Sequence, residues 1–269
     1  GKANAGKAKD PLKTVNEIAG YIYTQQTFAN IFTASAGVRL QNNSLWGTDI
    51  VPMAGLAVNP TISSTFKGSV SKGFRSPTIM ELYLYAPNPD LKPEKMLNYE
   101  LSWLQKLAEK KLSFELTCYL MKGKNMIQVQ NPGPNARRQN VGNFQNKGIE
   151  VSVNYVPLSG LHLHSNYNYL HQDKITLAAP RQQFNFNANY TYKIWNFFTG
   201  LQYIDKLYSN VNPAINQYYM LWNNRISVAP VKKVNLFISV NNLLNQQYQI
   251  NYGYPMAGRN YAAGFNVHF

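Results

Sequence analysis

The feature that most limits how this chain can fold is a two-residue alternation, cleanest at its end. Between positions 234 and 241, Val234, Leu236, Ile238 and Val240 alternate with Asn235, Phe237, Ser239 and Asn241. Between 260 and 269, Tyr261, Ala263, Phe265, Val267 and Phe269 alternate with Asn260, Ala262, Gly264, Asn266 and His268. Successive side chains of a strand point to opposite faces, so each segment has one apolar face and one that is mostly polar or small.

The same pattern recurs upstream and predicts about thirteen strands, near 17–28, 31–41, 50–58, 62–73, 94–107, 111–122, 145–156, 161–171, 182–192, 195–205, 217–229, 234–248 and 258–269. Ile149, Val151, Val153 and Tyr155 oppose Glu150, Ser152 and Asn154; Phe184, Phe186, Ala188 and Tyr190 oppose Asn185, Asn187, Asn189 and Thr191. Ser63, Thr65, Lys67, Ser69 and Ser71 make a wholly polar face. Most segments have the ten or so residues that a tilted strand needs to cross a bilayer. The first 16 residues read as a loop or frayed end.

The gaps alternate short and long. The short ones are 29–30, 59–61, 108–110, 157–160, 193–194 and 230–233; the long ones fall near 42–49, 74–93, 123–144, 172–181, 206–216 and 249–257. A soluble β-sandwich with one buried face has no reason to keep all its short turns at one end. A transmembrane barrel does, with short turns on one side and longer loops on the other. Aromatic residues gather near the ends of the apolar face, Tyr192 and Trp195 at one level and Tyr167, Tyr169 and Tyr203 at the other. These positions suit interfacial girdles.

Composition agrees. The 269 residues hold 19 Tyr and 13 Phe, with a mean hydropathy of −0.34. No apolar run approaches the roughly 20 residues of a spanning helix. The lone Cys118 forms no internal disulfide, belongs to no zinc-like cluster and is expected on the lipid face. Residues 1–10 lack the apolar core of a secretory signal. Net charge is +14 with a pI near 9.7. This suits an anionic membrane surface or ligand. The basic residues are scattered, with no helix-turn-helix or zinc-finger pattern, which argues against nucleic acid.

The chain's end resembles the C-terminus of TonB-dependent outer-membrane receptors, on Asn242-Leu243-Leu244, Tyr248, Gly253-Tyr254-Pro255, Gly258-Arg259 and Phe269. One departure is Ala257, where members often carry proline. Gly73-Phe74-Arg75-Ser76-Pro77 followed by Asn88-Pro89-Asp90-Leu91-Lys92-Pro93-Glu94 resembles the mid-barrel pattern of the same family, as does Asn140-Val141-Gly142 through Gly148-Ile149-Glu150. The resemblance implies an all-β antiparallel up-and-down barrel of roughly 22 strands, of which residues 1–269 supply the later ones, from about the tenth. A plug domain, a TonB box and the first strands are expected upstream of Gly1. Thirteen is odd, and open sheet edges are unstable in lipid, which agrees with a partial barrel. The resemblance also places Phe269 on the periplasmic side, as a signal for the barrel-assembly machinery, with every short turn on that side.

The long loops carry the candidate contacts. Pro77, Pro87, Pro89 and Pro93 cannot donate to a ladder and belong in a loop. Arg75 and Glu94 flank it, either paired to hold its base or with Arg75 facing ligand. Arg137 and Arg138, bracketed by Lys122, Lys124 and Lys147, suit bidentate contacts to carboxylate or phosphate, on a ligand or on lipopolysaccharide. Tyr83, Tyr85, Tyr252 and Tyr254 offer flat apolar surface to a bulky ligand, or pack the loops together. Haem receptors of the family often carry a histidine between the two mid-barrel boxes; residues 78–87 have none. His162 and His164 read as polar lumen residues rather than metal ligands, since no carboxylate or Cys joins them.

No nucleophile elbow, phosphate loop or metalloprotease motif is present. Alternation puts Ser165 and His171, near Asp173, on the lipid face, wrong for catalysis. The expected function is therefore active, TonB-coupled uptake of a scarce bulky ligand, without an enzymatic step or a bound cofactor. Compact loops and positive charge favour an iron chelate such as a ferric siderophore, with cobalamin second. Haem, oligosaccharide and a passive porin-like barrel are the alternatives. The expected partners are the TonB complex through upstream sequence, outer-membrane lipid and lipopolysaccharide, and no nucleic acid.

Overall fold

A computed structural model describes residues 2–3, 13–109, 111–130 and 135–267. The final Phe269 and His268 lie outside the described residues. Thirteen strands form one antiparallel sheet in consecutive order. They are β1 (Glu17–Phe28), β2 (Phe32–Asn43), β3 (Gly47–Thr61), β4 (Ser64–Arg75), β5 (Glu94–Leu107), β6 (Leu112–Lys124), β7 (Phe144–Tyr155), β8 (Leu161–Gln172), β9 (Gln182–Tyr192), β10 (Trp195–Asn210), β11 (Ile215–Val231), β12 (Val234–Asn241) and β13 (Asn260–Val267). β1 and β13 are the edge strands.

Register converts the alternation into two unlike faces. Leu161, Tyr190, Phe197, Ile226, Ile238 and Ala263 lie side by side across six strands. The opposite face carries rows such as His164, Asn187, Gly200 and Asn223, or Asn166, Asn185 and Gln202. In β1–β3 the apolar row Ile22, Val38 and Pro52 is offset from Gln25, Ser35 and Gly55. On the polar face, the Phe237 ring covers Gly264, where an added Cβ would come within 2.8 Å of it. The Arg225 guanidinium sits 3.9 Å from that ring's centroid.

The apolar face is bare. Ile22 is 74% exposed, Tyr261 73% and Phe265 71%. Among the described residues the buried large hydrophobic side chains are Leu82, Leu91, Phe144, Ile204, Leu207 and Tyr219, joined by Pro77 and Pro93, and all lie in loops or in the loop-side halves of strands. Leaving a large apolar side chain in water forgoes about 1.5–3 kcal/mol. A chain that leaves dozens exposed in rows is built to meet hydrocarbon, not to enclose a core. Cys118 is exposed on β6 in the row of Phe114 and Leu116. Among the described residues no helix is long and apolar enough to cross a membrane, which says nothing of strands.

Tight turns join the strands at one end. Ala29 and Asn30, and again Ala108 and Glu109, have left-handed φ values near 50°; a pair of such residues matches the right-handed twist of the flanking strands. Residues 193–194 and 232–233 each join two strands directly. The turn expected at 59–61 falls instead at 62–63, because Pro60 sits in the last turn-ward residues of β3, where the ladder no longer needs its missing donor. At the other end two loops expected to be long shrink to 44–46 and 211–214, as β2, β3, β10 and β11 run on past the bilayer-length segments. The strand expected over 234–248 stops at Asn241.

The chain divides into two compact units. One comprises Gly1–Thr61, Thr65–Leu101 and Tyr119–Lys147; the other comprises Ile62–Ser64, Ser102–Cys118 and Gly148–Phe269. Each has its own loop junction.

Candidate functional site

In the first unit the loop after β4 begins with Pro77-Thr78 and turns into the helix α1 (Ile79–Tyr83). Thr78 and Glu81 form a reciprocal capping box: the Glu81 amide donates to Thr78 Oγ1 at 3.2 Å, and the Thr78 amide to Glu81 Oε2 at 2.8 Å. This satisfies two donors at the helix start. The helix cannot continue past Leu84, because Tyr85 and Ala86 take left-handed φ and Pro87 follows. Leu82 is buried beneath it.

Arg75, the last residue of β4, joins this helix to β5. Its Nη1 donates to both Glu81 oxygens at 2.9 and 3.1 Å. Its Nε and Nη2 donate to the two Glu94 oxygens at 2.9 and 3.0 Å. A planar guanidinium is the one side chain that can fork to two carboxylates in this way. Glu94 Oε1 also accepts the Ile127 amide at 2.7 Å. Burial pushes the Glu81 carboxyl up, but the Arg75 hydrogen bonds and charge, with those from Thr78, outweigh it and hold it below the ordinary carboxylate range.

The proline-rich stretch 87–93 is short of backbone donors, and asparagines supply its links. Asn88 Nδ2 donates to the Arg138 carbonyl at 2.7 Å. Asn140 accepts from the Lys92 amide at 2.8 Å and donates to the carbonyls of Lys92 and Asn125. Trp46 Nε1 donates to the carbonyl of the buried Leu91 at 3.2 Å. Residues Ile127–Gln130 and Arg137–Asn140 pair as a short antiparallel hairpin inside the loop after β6. The loops after β4 and β6 are thus stitched together.

Five of the residues singled out from the sequence meet here. Arg75 is committed to its carboxylates. Arg138 Nη1 donates to the carbonyls of Leu84 and Tyr85, so it closes the helix's C-terminal side. Tyr83 is half-buried in α1. Arg137 donates to Asn88 Oδ1 at 3.1 Å and reaches Asp90 at 3.4 Å, with about half its side chain, 53%, still exposed. Tyr85 is fully presented, and Lys122, Lys124 and Lys147 are exposed.

In the second unit the loop after β12 is built around Asn242, 4% exposed. Its amide donates to Asn223 Oδ1 at 2.9 Å. Its side chain accepts from the Gln246 amide at 2.9 Å and donates to the carbonyls of Gln246 and Ala257 at 2.9 and 3.2 Å. Its left-handed φ of 51° suits asparagine better than other side chains. Asn245 Oδ1 accepts the Arg259 amide at 2.9 Å, and Arg259 Nε donates to the Leu243 carbonyl at 2.9 Å. A Cβ at Gly258 would come within 2.8 Å of Asn245 Oδ1. Tyr248 packs on Tyr219, ring centroids 4.2 Å apart, over Ile204 and Leu207. Tyr252 and Tyr254 lie exposed at a small hairpin, with the Tyr252 amide bonded to the Ser209 carbonyl.

His164 Nδ1 lies 2.8 Å from Asn154 Oδ1. No group of three or more His, Cys, Asp or Glu that could hold a metal occurs among the described residues. Sequence reasoning missed Glu81, Asn140 and Asn242 as anchors. Thr78, Ile79, Met80 and Glu81 carry the capping-box spacing, which was findable; the long-range links of the asparagines, to partners 15 to 48 residues away, leave no local signal, and only the Asn242–Gln246 pair is local.

A family model described as "TonB dependent receptor-like, beta-barrel" matches residues 3–243. The chain is 26% identical over 290 residues to the iron-regulated outer membrane virulence protein of Vibrio cholerae serotype O1, covering 93% of this chain and 44% of that protein. It is 24% identical over 282 residues to the vitamin B12 transporter BtuB of Vibrio vulnificus, covering 100% of this chain and 45% of BtuB. Among solved structures it superposes on the ferric enterobactin receptor PfeA of Pseudomonas aeruginosa with a TM-score of 0.82, at 16% identity, covering 98% of this chain and 47% of PfeA. The siderophore receptor PirA of the same organism gives 0.80 at 16% identity, covering 99% and 49%. The chain spans less than half the length of each of these proteins.

Proposed function

Because this chain belongs to the TonB-dependent receptor β-barrel family, in the outer membrane of a Gram-negative bacterium, we propose that it forms part of a receptor for TonB-coupled uptake of a ferric siderophore. The observation that carries this is the family match over residues 3–243, on a sheet whose apolar face carries rows of exposed large hydrophobic side chains. The remaining strands and a plug would come from sequence outside these 269 residues, and the TonB complex would act through that part.

The external loops capture the ligand. Arg137 draws an anionic chelate, with Lys122, Lys124 and Lys147 adding positive charge to the same unit, and Tyr85 offers it a flat surface; Tyr252 and Tyr254 are exposed candidates of the same kind on the second unit's loop. Arg75, Arg138 and Tyr83 hold the loops in shape for it. A large ligand met by preorganised loops loses less on ordering them. No step requires covalent chemistry. The relatives that carry siderophores and the one that carries vitamin B12 make cobalamin the second candidate.

Uptake in cells tests this. The complete receptor, expressed in an iron-starved strain without its own siderophore receptors, is expected to restore growth on ferric chelates only when TonB is present. Equal uptake without TonB would indicate a passive barrel. Growth on cobalamin alone would move the ligand class. Arg137→Glu is expected to weaken binding of an anionic chelate roughly tenfold, and unchanged affinity would remove that loop from the site.

A further inference from the structure

At the loop end of β8–β10, within the second unit, a cavity of about 240 Å³ opens among His171, Gln172, Arg181, Lys206 and Tyr208, and no carboxylate lines it. Two features bring its charges together. The first is Arg181, just before β9. Its Nη2 lies 3.3 Å from the Tyr169 hydroxyl and its guanidinium carbon 5.7 Å from that ring's centroid. Tyr169 pairs with Gln182 in the same row alternation as Tyr167 with Phe184, which belongs to the apolar face. The guanidinium is therefore held on the lipid side of the sheet, next to the aromatic girdle.

The second feature is a bulge in β10. Register with β11 shifts between Ile204 and Leu207, and Lys206 takes a φ of 54°. Bulges re-aim a side chain and are kept for that reason, and a lysine in the left-handed region costs energy that an ordinary strand would avoid. Here the bulge turns Lys206 into the cavity beside Arg181. The neighbouring Asp205 acts on Arg181 through its charge but stands outside the cavity lining: its Oδ2 accepts the Gln182 side chain at 2.9 Å, and Gln182 in turn accepts from the Tyr167 hydroxyl at 2.9 Å.

A cationic cavity on the lipid side, just beyond the tyrosines of the outer interface, faces headgroups rather than the barrel axis. We propose that it binds the phosphate of a phosphorylated glycolipid of the outer leaflet. Arg181 supplies the fork that matches phosphate oxygens, Lys206 the second charge, and His171 a donor at the lip. The lipid anchors the strand ends from which the loop 173–181 springs. This rests on the proposed barrel embedded in an outer membrane, and its test separates the two.

The complete receptor is reconstituted in nanodiscs containing a bisphosphorylated glycolipid, its dephosphorylated form, or neither, and bound lipid is counted by native mass spectrometry. Wild type is expected to retain the phosphorylated form. The variant carrying Arg181→Glu with Lys206→Glu should retain it roughly tenfold less or worse. Lys206→Gly, which suits the left-handed φ and removes the side chain with its charge while leaving Arg181, should fall between. Equal retention by all three proteins overturns the site, as does equal retention of the dephosphorylated lipid by wild type. Displacement of the lipid by millimolar inorganic phosphate would assign the cavity to a free anion and overturn the lipid. Failure of wild type to insert at all would strike the barrel itself.

Discussion

The two loop junctions solve one problem with different chemistry. Where a strand leaves the sheet, backbone groups lose their ladder partners and must be paired some other way. At the base of the first unit's loops the hub is Arg75, an ion paired with two others. At the second unit's loop it is Asn242, a neutral amide. Burial accounts for the difference. The Arg75 side chain is 39% exposed, so water still solvates part of its charge. Asn242 is almost completely covered, and a charge there would pay a desolvation penalty that pairing seldom repays. An amide can donate and accept at that depth without such a cost.

The largest effect is expected at Asn242. Asn242→Leu is expected to cost about 2–4 kcal/mol, because it takes the partner from the part-buried Gln246 amide and from two carbonyls at once. The unfolding midpoint of the refolded barrel in urea measures it, and hydrogen exchange should show the loss concentrated over residues 243–259. Asn242→Gly, which tolerates the left-handed φ but makes none of the bonds, separates backbone from side chain. Arg75→Leu comes next, at about 1–3 kcal/mol: it leaves two partly buried carboxylates together, but solvent screening reduces the figure. Arg75→Lys should recover little of it, since an ammonium cannot fork to both partners. A larger loss at Arg75 than at Asn242 would mean that burial is not what sets the hub's chemistry.

The strands were plain in the sequence and the hubs were not. The segments at 17–28, 94–107 and 182–192 coincide with β1, β5 and β9, because alternation is local and each face meets a different medium. The ends of β3 and β10 were misplaced because, beyond the bilayer, strands run on without an apolar row to mark them. Arg75 and Glu94 could be read as a pair from their places at the loop's two ends. Glu81 required noticing the capping box. Asn140 and Asn242 could not be assigned from spacing, since an asparagine in a loop looks the same whether it faces water or bonds a distant carbonyl. The same limit applied to Arg138, which was expected to reach outward and instead holds Leu84 and Tyr85.

The smallest expected effect is the response of the two loops to acid. Glu81 has its carboxyl held below the ordinary value of about 4.5, so its folded-state pKa lies beneath its unfolded one. Its contribution is therefore complete above the unfolded value and is lost as pH falls through the lower, folded one. Acidification from pH 7 to pH 3 should loosen α1 and the stretch 84–91 while the neutral Asn242 loop stays closed, since no group there needs to change charge. Trp46, bonded to the Leu91 carbonyl, lies close enough to report the change by fluorescence. Glu81→Gln keeps the side chain's shape and one acceptor but cannot titrate, so it should start looser and lose the acid transition. If the transition survived in that variant, another carboxylate would be setting it, and the ionic hub would have to be drawn around Glu94 alone.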